Sequence, residues 1–381
     1  MSRDSLLALC LLLVAPAMPA QIATLDSGPA VIGYVFPQNT ILQPTDVDAR
    51  SVTRLNYAFA NIQDGRMVMG FSHDEENFAV LTRLRRQNPS LKVLVSVGGW
   101  LWSGGFSDVA LTKESRKIFI QSVVEFLTRY DLDGLDIDWE YPGMVGAGHR
   151  FRGEDKANFT ILLQELRERF DREVRHSKRR WMLSIAAGAS DEFVEHTEMA
   201  KVQRYVDSVN LMAYDYYVPS VDKVAGHHAP LFTNPADPKK ISVDASVHAF
   251  EAAGVPAAKI VLGIPFYGHV WGQVADHEHG LYQQGHEVPN AYAPYGVISS
   301  KMLHDGFERF WDPVALAPYL YNSQTQIFVT YDDPESVAAK CSYVLKQRLG
   351  GVMFWDYSGD YAHELLNTIN AHLRTTATTR Q

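Results

Sequence analysis

A short segment of the chain, Asp133-Gly-Leu-Asp-Ile-Asp-Trp-Glu140, carries acidic residues at alternate positions. Alternate side chains of a β-strand point to the same face, so Asp136, Asp138 and Glu140 share one face and the apolar residues between them share the other. Neighbouring carboxylates in such a row lie about 6.6 Å apart, and each ionised pair repels by about 2.5 kcal/mol at an effective dielectric constant of about 20. A protein interior tolerates this row only if a proton is shared, a pKa is raised or a cation is bound.

Three interpretations of the acidic row follow from these options. It can be the solvated face of a strand, although both flanks of the row are apolar. It can be a metal site, which would need further oxygen ligands or histidines, and none is apparent nearby at suitable spacing. It can hold a general acid, Glu140, supported by a pair of aspartates, and this is the chemistry that we favour.

The acidic segment is one of eight short apolar runs that alternate with segments of helical periodicity. Eight buried strands alternating with helices predict a parallel sheet, and the count of eight predicts a (β/α)8 TIM barrel in the α/β class. Glu140 would then lie at the carboxyl end of its strand, where barrel enzymes keep their active sites. The runs are Val31–Phe36, Leu55–Ala60, Val93–Val97, Gly134–Tyr141, Leu183–Ala187, Val206–Tyr214, Ile260–Phe266 and Gly351–Tyr357.

Two parts of the chain depart from this alternation. Gly, Pro and aromatic residues with little helical pattern predict a small inserted α+β subdomain over residues 268–329, between strands seven and eight, because a structureless loop of this length is rare. At the start, Arg3, an apolar run and small residues predict a signal peptide over residues 1–20, with cleavage near Ala17 or Ala20. Residues 21–381 would then form one catalytic barrel that carries the insertion.

Charge and cysteine content limit the partners and the cross-links that we expect. The chain has 35 Lys and Arg against 44 Asp and Glu and a net charge of −9, so we expect neither nucleic acid nor a membrane as a partner. With the signal peptide removed, Cys341 is the only cysteine, and no intramolecular disulfide is expected. We expect a monomer that is secreted, either extracellular or periplasmic.

The acidic segment resembles DGxDxDxE, the signature of glycoside hydrolase family 18, the chitinase family. The insertion is similar to that of the deep-cleft bacterial members. The resemblance implies a retaining chitinase that cleaves β-1,4 bonds between N-acetylglucosamine units of chitin or chitooligosaccharides, without a metal or other cofactor. Further segments resemble the family in the same order along the chain: SVGGW (96–100), EDKANFTILLQELR (154–167), NLMAYD (210–215), GHHAPL (226–231), GIPFYG (263–268) and GVMFWDYSGD (351–360).

The resemblance also implies catalytic roles for five residues. Glu140 would protonate the glycosidic oxygen, and the substrate's own N-acetyl oxygen would attack C1 to form an oxazolinium ion. Asp138 would bind the acetamido N–H and stabilise that ion, while Asp136 would share a proton with Asp138. Tyr214 would hold the acetyl oxygen, and Asp215 would support the distorted sugar.

Substrate binding is implied for a further set of residues around these five. Trp355 would form the floor of subsite −1, Trp100 would form a +1 platform, and Tyr34 and Ser96 would stabilise Asp136. Large aromatic residues are usually buried, but residues at the carboxyl ends of barrel strands line the site. The remaining candidates are Phe36, Gly99, Met212, Tyr267 and His269.

Two positions depart from the family pattern. The loop after strand six lacks the Trp that the family often has there, so a product-side platform is either missing or supplied by Tyr216 or Tyr217; Trp271 is another weak candidate. His269 stands where the family commonly has Arg, and a histidine cannot offer the permanent planar charge of a guanidinium. We expect the pair His227-His228 to be loop structure that lines the cleft.

Other functions stay open at this point. One is a different activity of the same family, either an endo-β-N-acetylglucosaminidase or a peptidoglycan-directed hydrolase. Another is a chitin lectin that has lost catalysis, although such proteins usually lack the acid and Glu140 is present here.

Overall fold

A parallel barrel of eight strands forms the centre of the computed structural model, which describes residues 28–177, 179–289, 291 and 293–374. The strands are paired in the order β1-β15-β8-β7-β6-β5-β4-β2, and pairing of β1 with β2 closes the barrel. The predicted TIM barrel is therefore confirmed. Its strands are β1 (Ala30–Val35), β2 (Arg54–Gln63), β4 (Lys92–Gly98), β5 (Gly134–Asp138), β6 (Met182–Gly188), β7 (Ser208–Met212), β8 (Ile260–Pro265) and β15 (Gly351–Trp355).

Helices surround the barrel and bury the apolar faces that their sequences present. The outward residues of β5, Leu135, Ile137 and Trp139 just after it, pack in the core between barrel and helices. The helices are α1 (Asp74–Arg83), α2 (Phe106–Val109), α3 (Lys113–Arg129), α4 (Asp155–Ser177), α5 (Asp191–Glu195), α6 (Met199–Val202), α7 (Val243–Ala252), α8 (Tyr295–Ser300), α9 (Pro334–Gln347) and α10 (Glu364–Leu373).

Capping residues explain where two of the long helices begin. Thr112 precedes α3 and accepts a hydrogen bond from the Ser115 backbone N–H, while the Ser115 hydroxyl accepts one from the Thr112 backbone. Asp333 and Ser336 make the same reciprocal pair at the start of α9, where Pro334 needs no amide partner. Each pair satisfies amide groups that a helix leaves unbonded in its first turn.

A second, antiparallel sheet is built between β8 and α9. Its strand order is β10-β9-β14-β13-β12, and β11 also pairs with β9. Aromatic residues, among them Trp271, Tyr321 and Phe328, fill the core of this sheet. The strands are β9 (Tyr267–Gly272), β10 (His286–Glu287), β11 (Ala293–Pro294), β12 (Glu308–Asp312), β13 (Ala317–Asn322) and β14 (Ile327–Thr330); β3 (Arg66–Val68) forms a hairpin with β2 instead.

Some sequence predictions fall partly or wholly outside this description. The predicted signal peptide, residues 1–20, lies outside the described residues. Within them, no helix is both long and apolar enough to cross a bilayer. Cys341 is buried in α9, and burial raises the pKa of its thiol to about 12.

Candidate active site

Strand register brings four hydrogen-bond donors to Asp136. Residue 136 pairs with Ser96 on β4 and Ser184 on β6, so the three side chains lie level on the inner face of the barrel. Tyr34 Oη and Ser96 Oγ each donate to Asp136 Oδ2 at 2.8 Å, while Ser184 Oγ and Asn210 Nδ2 donate to Oδ1 at 2.5 and 3.1 Å. These donors hold a fully buried carboxylate in one orientation.

A buried guanidinium lies next to this cluster. Arg54, at the start of β2, is 3% exposed and donates to Ser208 Oγ at 3.1 Å and to Asn210 Oδ1 at 2.9 Å. Asn210 connects Arg54 to the cluster, because its amide nitrogen donates to both Asp136 and Tyr34. The positive charge of Arg54 therefore lies one side chain away from Asp136 and stabilises negative charge there.

Asp138 lies two residues further along and is held far less tightly. Its side chain is buried, and among the described residues its Oδ1 has no hydrogen-bond partner. Burial raises the pKa of Asp138 well above its ordinary value, and the neighbouring charges of Glu140 and Asp136 raise it further. Asp136 takes its hydrogen bonds from other residues in this conformation, so its sharing of a proton with Asp138 stays a prediction.

Glu140 lies two residues after the end of β5 and is half-buried. Its backbone N–H donates to Ser103 Oγ at 2.9 Å, which fixes the chain at this point. Burial raises the pKa of Glu140 to about 7; the charge of Asp215 adds to this increase, and a hydrogen bond from Tyr141 opposes it. A carboxyl group with this pKa stays protonated in mildly acidic solution, as a general acid must be before it donates its proton.

Two glycines allow β4 to end against β5. Gly99 donates its backbone N–H to the carbonyl oxygen of Asp138 at 2.8 Å. A Cβ atom at Gly98 would lie only 2.2 Å from that same oxygen, and the φ angle of Gly98 is +106°. The Gly-Gly pair of the SVGGW segment is thus required for the backbone contact that positions Asp138.

Asp215 lies just after β7, and three side chains contact one of its carboxylate oxygens. Its Oδ1 lies 2.6 Å from Tyr267 Oη, 2.8 Å from His269 Nε2 and 3.5 Å from His228 Nδ1. Burial alone would raise the pKa of Asp215, but the hydrogen bonds and charges of the two histidines outweigh it and hold this pKa far below its usual range. Asp215 is therefore an anion throughout the physiological pH range.

Tyr214, beside Asp215, carries a hydroxyl group that makes only a weak hydrogen bond. Its Oη donates to Met353 Sδ at 4.0 Å, and its ring lies edge-on to Tyr267 with centroids 6.2 Å apart. Burial, followed by the charge of Asp215, raises the pKa of Tyr214 well above its ordinary value, so the hydroxyl stays protonated and can donate.

Aromatic side chains lie at the carboxyl ends of β15 and β4. Trp355 is half-buried at the end of β15 and stacks on Phe59 with centroids 5.5 Å apart; Phe36 packs against it at 5.4 Å. Trp100 lies after β4, is 50% exposed and packs edge-on to Tyr141 at 6.5 Å. The ring of Trp355 is therefore held by two phenylalanine rings, whereas the side chain of Trp100 extends into solvent. Met212 is half-buried at the end of β7.

The structure corrects the weaker aromatic candidates. Trp271 and Tyr217 lie in the core of the second sheet, at 0% and 2% exposure, so neither can be a sugar platform. The hydroxyl of Tyr216 is bonded to Ser246 Oγ at 2.7 Å, away from the catalytic residues. The prediction that Tyr217 or Trp271 lines the cleft is wrong because both rings are needed to fill an apolar core.

The adjacent histidines 227 and 228 have separate partners. His227 Nε2 contacts Asp312 of the second sheet at 3.2 Å, and both residues are buried. His228 faces Asp215, and burial lowers the pKa of its imidazole to about 4. His228 therefore belongs to the site itself, closer to the catalytic residues than the expected loop position implied.

Sequence reasoning missed three residues of the buried cluster: Arg54, Ser184 and Asn210. Ser184 and Asn210 stand in the apolar runs LSIAA and NLMAY, where a lone polar residue that faces a barrel interior needs a polar partner. Arg54 directly precedes the run LNYAFA. Each residue was visible as a polar interruption, but no local pattern connects it to Asp136.

Comparisons with known proteins show what this chain is similar to. A family model described as glycosyl hydrolases family 18 matches residues 30–360. Chitinase A1 of Niallia circulans is 35% identical over 98% of this chain, and the match spans 62% of that relative's length. Chitinase B of Serratia marcescens is 30% identical over 87% of this chain, and that match spans 81% of the relative's length. The solved structure of a family 18 N-acetylglucosaminidase from Paenibacillus barengoltzii has a TM-score of 0.83 and 41% identity, and covers 91% of this chain and 100% of its own.

Proposed function

The chain belongs to glycosyl hydrolase family 18, and from this premise we propose that it is a secreted chitinase. It would hydrolyse β-1,4 bonds between N-acetylglucosamine units with retention of configuration. The observation that carries the proposal is the pairing of Glu140, with a pKa of about 7, and Asp138, whose Oδ1 has no partner among the described residues. Chitin as the substrate is supported by the chitinases among the relatives.

The first step is cleavage of the glycosidic bond. Glu140 donates its proton to the glycosidic oxygen while the carbonyl oxygen of the substrate's N-acetyl group attacks C1. The C1–oxygen bond breaks, the leaving sugar departs with the proton, and an oxazolinium ion remains. Water, deprotonated by the Glu140 carboxylate, then attacks C1 from the vacated side, which restores the N-acetyl group and the original configuration.

Asp138 stabilises the oxazolinium ion by turning toward the acetamido N–H. This rotation sacrifices no hydrogen bond at Oδ1, because that atom has no partner among the described residues. Asp136 cannot rotate in the same way, since four donors hold both of its oxygens. The two neighbouring groups are therefore suited to different parts, Asp136 as the fixed support and Asp138 as the group that turns.

Tyr214, Asp215 and Trp355 position the reacting sugar. The Tyr214 hydroxyl donates to the acetyl oxygen and directs it at C1. The Asp215 carboxylate accepts from a sugar hydroxyl of the distorted ring, and the indole of Trp355 packs against the apolar face of that ring. Holding the N-acetyl group close to C1 converts its attack into an intramolecular step of high effective molarity.

A second candidate is release of single N-acetylglucosamine units. It is favoured by one observation, the 41% identity to the N-acetylglucosaminidase from Paenibacillus barengoltzii over the full length of that chain. Both candidates use the same residues and the same bond, and they differ in how many sugars the cleft accepts on either side of Glu140.

The deciding experiment is early-time proton NMR of the chain with the tetramer of N-acetylglucosamine, combined with separation of the products. Prompt appearance of the β-anomer is expected and supports retention through the acetamido-assisted route. Cleavage that begins with the α-anomer would exclude that mechanism. Dimer as the main early product supports the chitinase, and monomer with trimer supports the second candidate. Binding without cleavage would indicate a lectin.

A further inference from the structure

Three side chains with metal-binding chemistry converge beside the catalytic residues. Asp215 follows β7, His228 lies in the loop between β7 and α7, and His269 is in β9 of the second sheet. Their candidate ligand atoms, Asp215 carboxylate oxygen, a His228 ring nitrogen and a His269 ring nitrogen, all lie within 4.8 Å of one another. Elements far apart in sequence therefore place two imidazoles and one carboxylate around one point.

The donor set matches the preference of Zn²⁺. Protein zinc sites use imidazole nitrogen and carboxylate oxygen at about 2.0–2.2 Å, and sites with three protein ligands leave a fourth position for water. Ligand atoms of such a site lie about 3.3 Å apart, given tetrahedral angles. The distances from Asp215 Oδ1 to His269 Nε2 and His228 Nδ1 are 2.8 and 3.5 Å, on either side of that separation.

The surroundings orient these ligands and leave the site open. Tyr267 Oη donates to Asp215 Oδ1 at 2.6 Å, a contact of the kind that orients metal-binding carboxylates. His228 is fully buried, its ring Nε2 has no partner among the described residues, and its Nδ1 faces Asp215. The Asp215 side chain is 42% exposed, which gives an ion access from the cleft.

Residue 269 decides whether this site can exist. A guanidinium at this position would place a permanent cation against Asp215, and it has no lone pair to offer a metal. An imidazole is both a weaker base and a good zinc ligand. The departure of His269 from the common Arg thus changes the chemistry of the cluster from an ion pair to a set of three ligands.

We propose that Asp215, His228 and His269 form a Zn²⁺ site whose occupancy blocks the sugar-binding position at Asp215 and reversibly inhibits the enzyme. The inhibition rests on the proposed function, whereas the binding does not. Zn²⁺ at this point occupies the carboxylate that would otherwise accept from the −1 sugar, so metal and substrate exclude each other. The ion is an inhibitor in this proposal and takes no part in the hydrolysis.

Calorimetric titration of the metal-free chain with Zn²⁺ tests the binding. We expect one ion per chain, and His269→Arg should weaken the binding at least tenfold. The matched control is the double variant His277→Gln/His279→Gln, which removes two exposed histidines of the second sheet region near Asp276 and should leave the titration unchanged. Absence of binding, binding unaffected by His269→Arg, or loss of binding in the control would each overturn the site.

Competition with sugar tests the consequence. The chitooligosaccharide tetramer, added to the Glu140→Gln variant so that it is not consumed, should weaken Zn²⁺ binding in the same titration. Zn²⁺ should raise the KM of the wild-type chain for the tetramer, and the His269→Arg chain should need at least tenfold more metal for the same effect. Binding without competition would overturn the inhibition. If the chain hydrolyses no sugar at all, the proposed function fails while the titration still decides the site.

Discussion

At the residue scale, the three carboxyl groups of the acidic row differ in their hydrogen bonding and in their surroundings. Asp136 is held by four donors, Asp138 has a buried oxygen with no hydrogen-bond partner in the described part of the chain, and Glu140 has a pKa of about 7. The three groups have the same chemistry, but their surroundings hold Asp136 in place and raise the pKa values of Asp138 and Glu140. Each can therefore take a separate part in one reaction.

Replacement of Glu140 by Gln tests the general acid. The amide keeps the size of the side chain but cannot act as an acid toward the leaving oxygen, so kcat should fall by about 100-fold to 10,000-fold. Binding of chitooligosaccharides, measured by calorimetry, should be retained. A substrate with a phenol leaving group needs less protonation and should lose less activity. The exposed Glu154→Gln variant is the control, and substantial residual activity on chitin would contradict the role of Glu140.

The pH dependence of activity follows from the same residue. Glu140 must be protonated in the free enzyme, so kcat/KM should decrease about tenfold per pH unit above its pKa of about 7. A pH profile measured with the tetramer checks this. A flat profile to pH 9 would assign the acid to another group.

Stability should show a matching trend. The pKa of Glu140 is raised from 4.5 to about 7 on folding, so the folded chain holds this proton more tightly than the unfolded chain. This contribution is fully present below pH 4.5 and is lost as the pH rises through 7. The side chain of Glu140→Gln cannot ionise, so its stability has no such pH dependence. The melting temperature of the variant relative to that of the wild type should therefore be higher at pH 8 than at pH 4.5. An equal difference at both pH values would contradict the raised pKa.

At the element scale, neighbouring strands supply what β5 lacks. Asp136 lies on β5, but its donors come from β1, β4, β6 and β7. Arg54 at the start of β2 connects to the same cluster through Ser208 and Asn210 on β7. Closure of the barrel thus assembles the support of the acidic row, and no single βα unit contains it.

Arg54→Met tests this support. The variant leaves buried acceptors on β7 with fewer donors, which should lower the free energy of unfolding by about 1–3 kcal/mol. It also removes the positive charge near Asp136, so kcat should fall while KM, which depends on groups that touch the sugar, changes little. Denaturant unfolding and steady-state kinetics measure the two effects. The exposed Arg50→Met variant is the control, and a loss of stability with unchanged kcat would limit Arg54 to a structural role.

At the scale of the whole molecule, the barrel and the second sheet meet at the site. The barrel supplies the acidic row and Trp355, and the second sheet supplies His269. Asp215, at the end of β7, contacts His269 and Tyr267 of β9. The position of the second sheet therefore determines which polar groups contact Asp215.

Independence from metal is the prediction that belongs to the whole enzyme. All steps of the proposed reaction use side chains and the substrate's own acetamido group, so an excess of EDTA should not lower the rate of tetramer hydrolysis. If trace Zn²⁺ occupies the site at Asp215, EDTA should raise the rate. A rate that falls with EDTA and returns with added metal would reverse this assignment.

The sequence alone was enough for the fold and for the placement of the acidic row on one strand. Strand alternation is a local property, so the spacing of Asp136, Asp138 and Glu140 and the rhythm of eight apolar runs could be interpreted without coordinates. The same holds for the apolar face of α4, where helical spacing groups residues that are buried in the structure: Phe159, Leu162, Leu163, Leu166 and Phe170. These features depend on residues that are close together in the chain.

Only the tertiary structure decided which side chains meet across the chain. The donors to Asp136 come from positions 34, 96, 184 and 210, and their convergence depends on strand register and barrel closure. The burial of Trp271 and the meeting of Asp215 with His228 and His269 depend on how the second sheet packs. Such contacts join residues far apart in sequence, and no local periodicity encodes them.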